Sequence, residues 1–181
     1  MRHAFASLKG LAALAAALGG ATALAGAGEA AAQSQPEPVF QGTHTDWRVF
    51  TRGEGSAKIC YALSQPGESL PANVEHGDVF FLVSTWADGS ASEQPNFLAG
   101  YPLKPESPPR VRVGSDRYTM FVSDQEGFLE EAEDEDQLVR AMRRGSTMRV
   151  DAVSARGTAT VYEFSLSGVT AALDAAESLC R

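Results

Sequence analysis

The sequence predicts a mainly β fold: an antiparallel β-sandwich or flattened barrel of about seven or eight strands with two short helices. Three observations predict it. Apolar residues recur at every second position in several short runs bounded by Gly, Pro and Asp. No β-α-β alternation and no internal repeat is present. Only two stretches, about 134–144 and 168–180, carry a helical period instead.

Residues 1–32 are read as a secretory signal peptide and set aside from the fold. Arg2, His3 and Lys9 open it, an Ala/Leu-rich run follows from Leu11, and small-residue cleavage sites end it, with cutting after Ala32 preferred. Gly19 and Gly20 interrupt the run, and no stop-transfer flank follows, which argues against an anchor. Cleavage there leaves 149 of the 181 residues, enough for one domain with one core. Residues 33–45, polar and proline-bearing, are expected to be a flexible leader into a single domain spanning 46–181.

The strands follow in order. "DWRVFT" puts Trp47 and Val49 on one side and Phe50 on the other. "KICYALSQP" places Ile59, Tyr61 and Leu63 on one face and Cys60 and Ala62 on the other; apolar residues on both faces predict a covered central strand. "DVFFLVSTW" repeats that pattern, with Val79, Phe81 and Val83 alternating with Phe80 and Leu82. "NFLAGYPL" is a shorter strand ended by prolines. "PPRVRVGSDRYTMFV" predicts a hairpin turning at "GSD", and "TMRVDAVS" with "TATVYEFSL" predicts a second around Arg156-Gly157. In the last strand Thr160, Tyr162, Phe164 and Leu166 share a face.

The first helix carries acids first, bases last and Gly145 beyond them, the order that suits the helix dipole and a glycine stop. Asp136 and Arg140 fall at i,i+4 in the favourable orientation. The acidic run from Glu130 to Asp136 lacks the spacing and central glycine of a calcium loop, so it is read as a solvated helix start. In the second helix Val169, Ala172, Leu173, Ala176 and Cys180 form one apolar stripe.

Cys60 and Cys180 are the only cysteines. In an exported chain they are read as one disulfide, locking the terminal helix to the sheet. Free or reactive thiols and a metal site are the competing readings. Lys58 and Arg181 lend the thiol reading some support, whereas His44 and His76 are too few to complete a zinc site.

The formal net charge is −8; losing residues 1–32 removes Arg2, Lys9 and Glu29 and takes it to −9. An acidic surface repels phosphate backbones and anionic lipid, so neither nucleic acid nor peripheral membrane binding is expected. No later segment is long and apolar enough to span a bilayer.

No G-x-S-x-G, S-x-x-K, phosphate-binding glycine loop or H-E-x-x-H motif occurs. His44 and His76 are the only candidates for a neutral-pH base after cleavage, and both sit in polar sequence. A Ser-His-Asp set assembled in space stays open. Trp47, Trp86 and Tyr101 could form an aromatic binding surface, with Trp47 the one expected in the core. Trp86, beside a polar loop, and Arg156, in "SARGT", are the candidate partner contacts.

Taken together, "DWRVFT…KICYALSQP", "VFFLVSTW", "GYPLK", "LVRAMRRGSTMRVDAVSARGT" and "FSLSGVTAALDAAESLC" resemble, in order and spacing, the invasion-associated locus B family of exported proteins common in alphaproteobacteria. The resemblance runs from about residue 46 to the end. It implies a β-rich domain of the periplasm or outer cell envelope with no established catalytic residues, so none is carried over. The family's name comes from host-cell entry by a pathogenic member, a role not carried over to this chain. The reading that follows is a non-enzymatic envelope protein that binds an envelope or host protein, or another envelope component, with no cofactor and no metal. The alternative is a periplasmic hydrolase or small-molecule binder using His44 or His76.

Overall fold

The structure, a computed structural model, describes residues 36–181. The expected signal peptide lies outside the described residues. In chain order the strands are β1 (Val39–His44), β2 (Trp47–Arg52), β3 (Ile59–Ser64), β4 (Glu68–Leu70), β5 (Phe80–Trp86), β6 (Gln94–Leu98), β7 (Arg110–Val113), β8 (Asp116–Thr119), β9 (Phe121–Ser123) and β10 (Glu126–Phe128). Helix α1 (Ala132–Arg144), strands β11 (Thr147–Val153) and β12 (Ala159–Ser165), and helix α2 (Val169–Cys180) complete it.

Two antiparallel sheets result, one of seven strands in the order β1-β2-β3-β5-β6-β10-β9 and one of five in the order β4-β12-β11-β7-β8. The fold is therefore sandwich-like, with two separate sheets and no closed barrel among the described residues. The twelve strands exceed the expected number because β4, β9 and β10 have only three residues each, too few to show alternation.

The core lies between the sheets. Trp47, Val49, Cys60, Ala62, Phe81, Val83 and Phe97 face it from the larger sheet, and Val111, Met148, Val150, Tyr162 and Phe164 from the smaller. Phe81 meets Phe164 edge-on at 5.8 Å, and Phe97 meets Tyr162 at 5.6 Å. Each such ring pair contributes about 0.5–1.5 kcal/mol beyond its burial. The Trp47 indole N–H crosses the core to the Ser165 carbonyl at 3.0 Å, so a fully buried tryptophan leaves no orphan donor. Five strands do not cover seven, and α2 fills the remainder by packing on β1, β2, β3 and β5.

Both helices form where the period places them. All five residues of the α2 stripe are buried. Asp136 and Arg140 approach to 3.9 Å on the exposed side of α1, which starts two residues earlier than expected. Gly145 does follow α1, but its φ of −84° is extended, not left-handed. Its role is space: a Cβ there would lie 2.6 Å from Val113 Cγ1 and 2.9 Å from Leu166 Cδ1. A left-handed glycine stands instead at the start of α2: Gly168, at φ 88°, has room for no Cβ against the His44 carbonyl.

Two expectations are corrected. The leader assigned to 33–45 is not a leader from Val39 onward: Val39–His44 is edge strand β1, paired antiparallel with β2 through a register shift between Phe40 and Gly42. That irregularity breaks the alternation a strand would show in sequence. Secondly, β3 and β5 are central, but no described element covers their second face. Both helices lie on the core side, leaving Ile59, Tyr61, Leu63, Phe80 and Leu82 only half-buried.

Candidate functional site

That second face of the larger sheet is the most distinctive surface of the molecule. Strand alternation turns Trp47, Val49 and Thr51 inward, so Arg48, Phe50 and Arg52 point outward from β2. Register then builds rows across the sheet. Phe40, Phe50 and Tyr61 lie opposite one another on three adjacent strands. Phe40 meets Phe50 edge-on at 5.5 Å, and Phe50 stacks on Tyr61 at 5.7 Å. A second row runs Arg52, Ile59, Trp86, and a third runs Arg48, Leu63, Leu82, Asn96, Phe128, Phe121. Phe128 and Phe121 pair at 5.8 Å, so rings occupy both ends of the face.

On this face Phe40 is 56% exposed and Phe121 47%, values usual for charged residues rather than for large apolar ones. Partial burial raises the Tyr61 pKa, while the nearby Arg52 guanidinium opposes the shift. Arg48 donates to Gln65 Oε1 at 3.2 Å, and no carboxylate pairs with Arg48 or Arg52 among the described residues.

The structure places the other candidate residues as follows. Cys60 and Cys180 form a disulfide with S–S 2.07 Å and Cα–Cα 5.8 Å. Lys58, next to it, donates to the Leu179 carbonyl at 2.6 Å, where a cation suits the C-terminal end of α2. Trp86 ends β5 half-buried beside Ile59, on the same open face as the aromatic row. Arg156 is exposed in the β11–β12 turn, away from that face, with Gly157 at φ 89° beside it.

His44 ends β1, half-buried, with no side-chain hydrogen bond recorded for its ring. His76 belongs to a hydrogen-bonded chain. Its Nε2 lies 3.1 Å from the Pro71 carbonyl, an acceptor only, so Nε2 carries a hydrogen. Its Nδ1 lies 2.9 Å from Tyr162 Oη, which lies 2.7 Å from Tyr101 Oη, itself 2.6 Å from Thr160 Oγ1. The loop reaches this position because Gly77 and Gly100 let two backbones touch; a Cβ on Gly100 would lie 2.4 Å from the His76 carbonyl. Burial, with the Tyr101 hydrogen bond adding to it, pushes the Tyr162 pKa well above the ordinary tyrosine range. Both His76 nitrogens are thus engaged by a phenol and a carbonyl rather than by a carboxylate or serine. Tyr101, a candidate for an aromatic surface, is committed to this chain instead.

Among the described residues no three His, Cys, Asp or Glu side chains gather as a metal-ligating set. None of the described helices is long and apolar enough to cross a membrane.

These features define a disulfide-closed, two-sheet β domain whose larger sheet keeps an open apolar face. The sequence model of the Invasion associated locus B (IalB) protein family matches residues 47–177, and the chain belongs to that family. The match covers both sheets and all but the end of α2 and the edge strand β1, in line with a bacterial envelope-associated protein. Neither a curated protein nor a solved structure matches the chain.

Phe40 and Phe50 were missed as surface residues for different reasons. Phe40 sits in the polar stretch assigned to the leader. Phe50 was placed on the second face, but alternation alone does not say whether a second layer covers it.

Proposed function

We propose that this is an exported, non-enzymatic protein of the periplasm or outer cell envelope that works by binding another protein through the open face of the larger sheet. Membership of the IalB family supports the envelope setting. The disulfide supports an oxidising compartment. The aromatic row Phe40–Phe50–Tyr61, with Trp86 on the same face, carries the binding reading.

Charge on this face selects the occupant. Arg48 and Arg52 flank Phe50 on β2 with apolar register neighbours Leu63 and Ile59, and the acid that shares this face, Glu126, lies four strands away on β10. A second copy of the face, docked about a two-fold axis through this row, would set arginine against arginine. The fitting partner is a protein surface with an apolar centre rimmed by aspartate or glutamate.

A photoreactive side chain at Tyr61, with one at exposed Ser115 as control, tests this in envelope extracts. The expected result is a defined adduct with a different protein from position 61 alone, lost when Arg52→Glu is added. Adducts only between copies of this chain, or identical adducts from both positions, would overturn it.

A further inference from the structure

The outer face of the smaller sheet carries a separate feature. Strand register lines up Arg117, Arg112 and Arg149 directly across β8, β7 and β11, with Arg110 one position along β7 on the same face. Like charges directly opposite on neighbouring strands destabilise a sheet. Across the register Glu163 faces Arg149 and Asp151 faces Arg110, but only Arg149 forms an ion pair, with Asp151, its Nη2 at 2.7 Å and Nε at 3.1 Å from Oδ1. Arg117 donates only to the Ser115 carbonyl, at 2.8 Å. Arg110 and Arg112 are exposed, with no hydrogen bond or ion pair recorded for their side chains.

These side chains do not stand on a flat surface. Arg110, Arg112 and Arg117 line one side of a cleft of about 900 Å³. Thr119 adds a hydroxyl, and Val153 and Val161 supply an aliphatic floor. The cleft's acids are Asp151, already engaged by Arg149, and Glu106. A volume of this order holds a small organic molecule. In a chain of net charge −8, such a concentration of guanidinium groups is local and does not follow from composition.

We infer that this cleft is a binding site for a small organic polyanion. The ligand would present two phosphate or carboxylate groups about one strand spacing, roughly 5 Å, apart, with a short apolar body on the Val153–Val161 floor. Arginine rather than lysine at every position fits this chemistry, because each planar fork grips a tetrahedral or planar oxyanion through two N–H donors. The acidic remainder of the domain repels a long polyanion but leaves room for a short one. The site is on the opposite sheet from the proposed docking face, and neither reading depends on the other.

The test is a titration of the full chain with pyrophosphate and, separately, citrate at about 0.15 M salt, followed by backbone amide NMR. Saturable shifts confined to β7, β8 and β11 are expected for at least one probe. Arg112→Gln should weaken that binding about tenfold, a loss usual for one charge-assisted hydrogen-bonding partner, while Arg48→Gln on the other sheet should leave it unchanged. Tighter pyrophosphate binding assigns a phosphate-bearing ligand, and tighter citrate binding a carboxylate-bearing one. Thermal unfolding gives a second readout: with its unpaired like charge removed, the Arg112→Gln variant should melt no lower than the parent. Binding that never saturates, binding unaffected by Arg112→Gln, or a strongly lowered melting temperature would each overturn the proposal.

Discussion

Cys60 and Cys180 stand 120 positions apart in the chain, yet their Cα atoms lie 5.8 Å apart and a disulfide joins them. The bridge fixes the last turn of α2 to β3, a central strand of the larger sheet. Thr51 in β2 and Thr85 in β5 sit directly opposite Cys60 in register, and all three are core-side positions. The link therefore acts on the part of the larger sheet that the smaller sheet does not cover.

Opening that link should be costly. Closing a loop of this size removes enough disorder from the unfolded chain to contribute about 5 kcal/mol in the chain-entropy picture, with measured losses on removing native bridges of about 2–5 kcal/mol. Cys180→Ser paired with Cys60→Ser should lower the free energy of unfolding by that amount in urea titration. A change under about 1 kcal/mol would mean that packing of the Val169–Leu173–Ala176 stripe alone holds the helix.

The two faces of β5 should respond differently to truncation. Phe81 is fully buried against Phe164, and Phe81→Ala should cost about 3–5 kcal/mol. Leu82, next in sequence on the open face, is half-buried, and Leu82→Ser should cost about 1 kcal/mol or less. Equal losses at the two positions would show that something covers the second face.

How far these features are legible in the sequence depends on which contacts make them. The α2 stripe and the alternation of β11 and β12 are local periodicities, so the buried residues were readable in advance. The cysteine pairing was readable because only one pairing is possible. Strand β1 was not, because its pairing with β2 is irregular and its residues are mostly polar. The open face was not either: apolar residues on both sides of β3 and β5 signal burial equally well when the second layer belongs to another molecule. The arginine row was hidden for a related reason. Arg112, Arg117 and Arg149 come together only through strand register, which net charge does not record. His76 and Tyr101 likewise both reach the Tyr162 hydroxyl only through the close passage of Gly77 and Gly100.

The tyrosine chain predicts a pH dependence on the alkaline side. Tyr162 keeps its proton in the folded state above the ordinary value of 10.0, because burial disfavours the phenolate. Above about pH 10 the unfolded chain has released that proton and the native state has not, so the unfolded state binds fewer protons and stability falls as pH rises. The contribution is fully present below the unfolded value. Phenolate absorbance should show fewer than the chain's four tyrosines ionising until the fold is lost, as Tyr61 and Tyr118 are raised by burial too. All four titrating together near pH 10 with the fold intact would contradict this burial.

The central claim is that the open face of the larger sheet binds a protein partner, and affinity tests it most directly. Once a partner is captured, its dissociation constant should be measured for the parent and for Phe50→Ser, after confirming that both unfold at similar denaturant concentrations. Phe50 stands in the middle of the aromatic row, between Phe40 and Tyr61. Losing a central aromatic anchor of about 2 kcal/mol predicts affinity weakened roughly thirtyfold. Equal affinity for the parent and the Phe50→Ser protein would contradict the account.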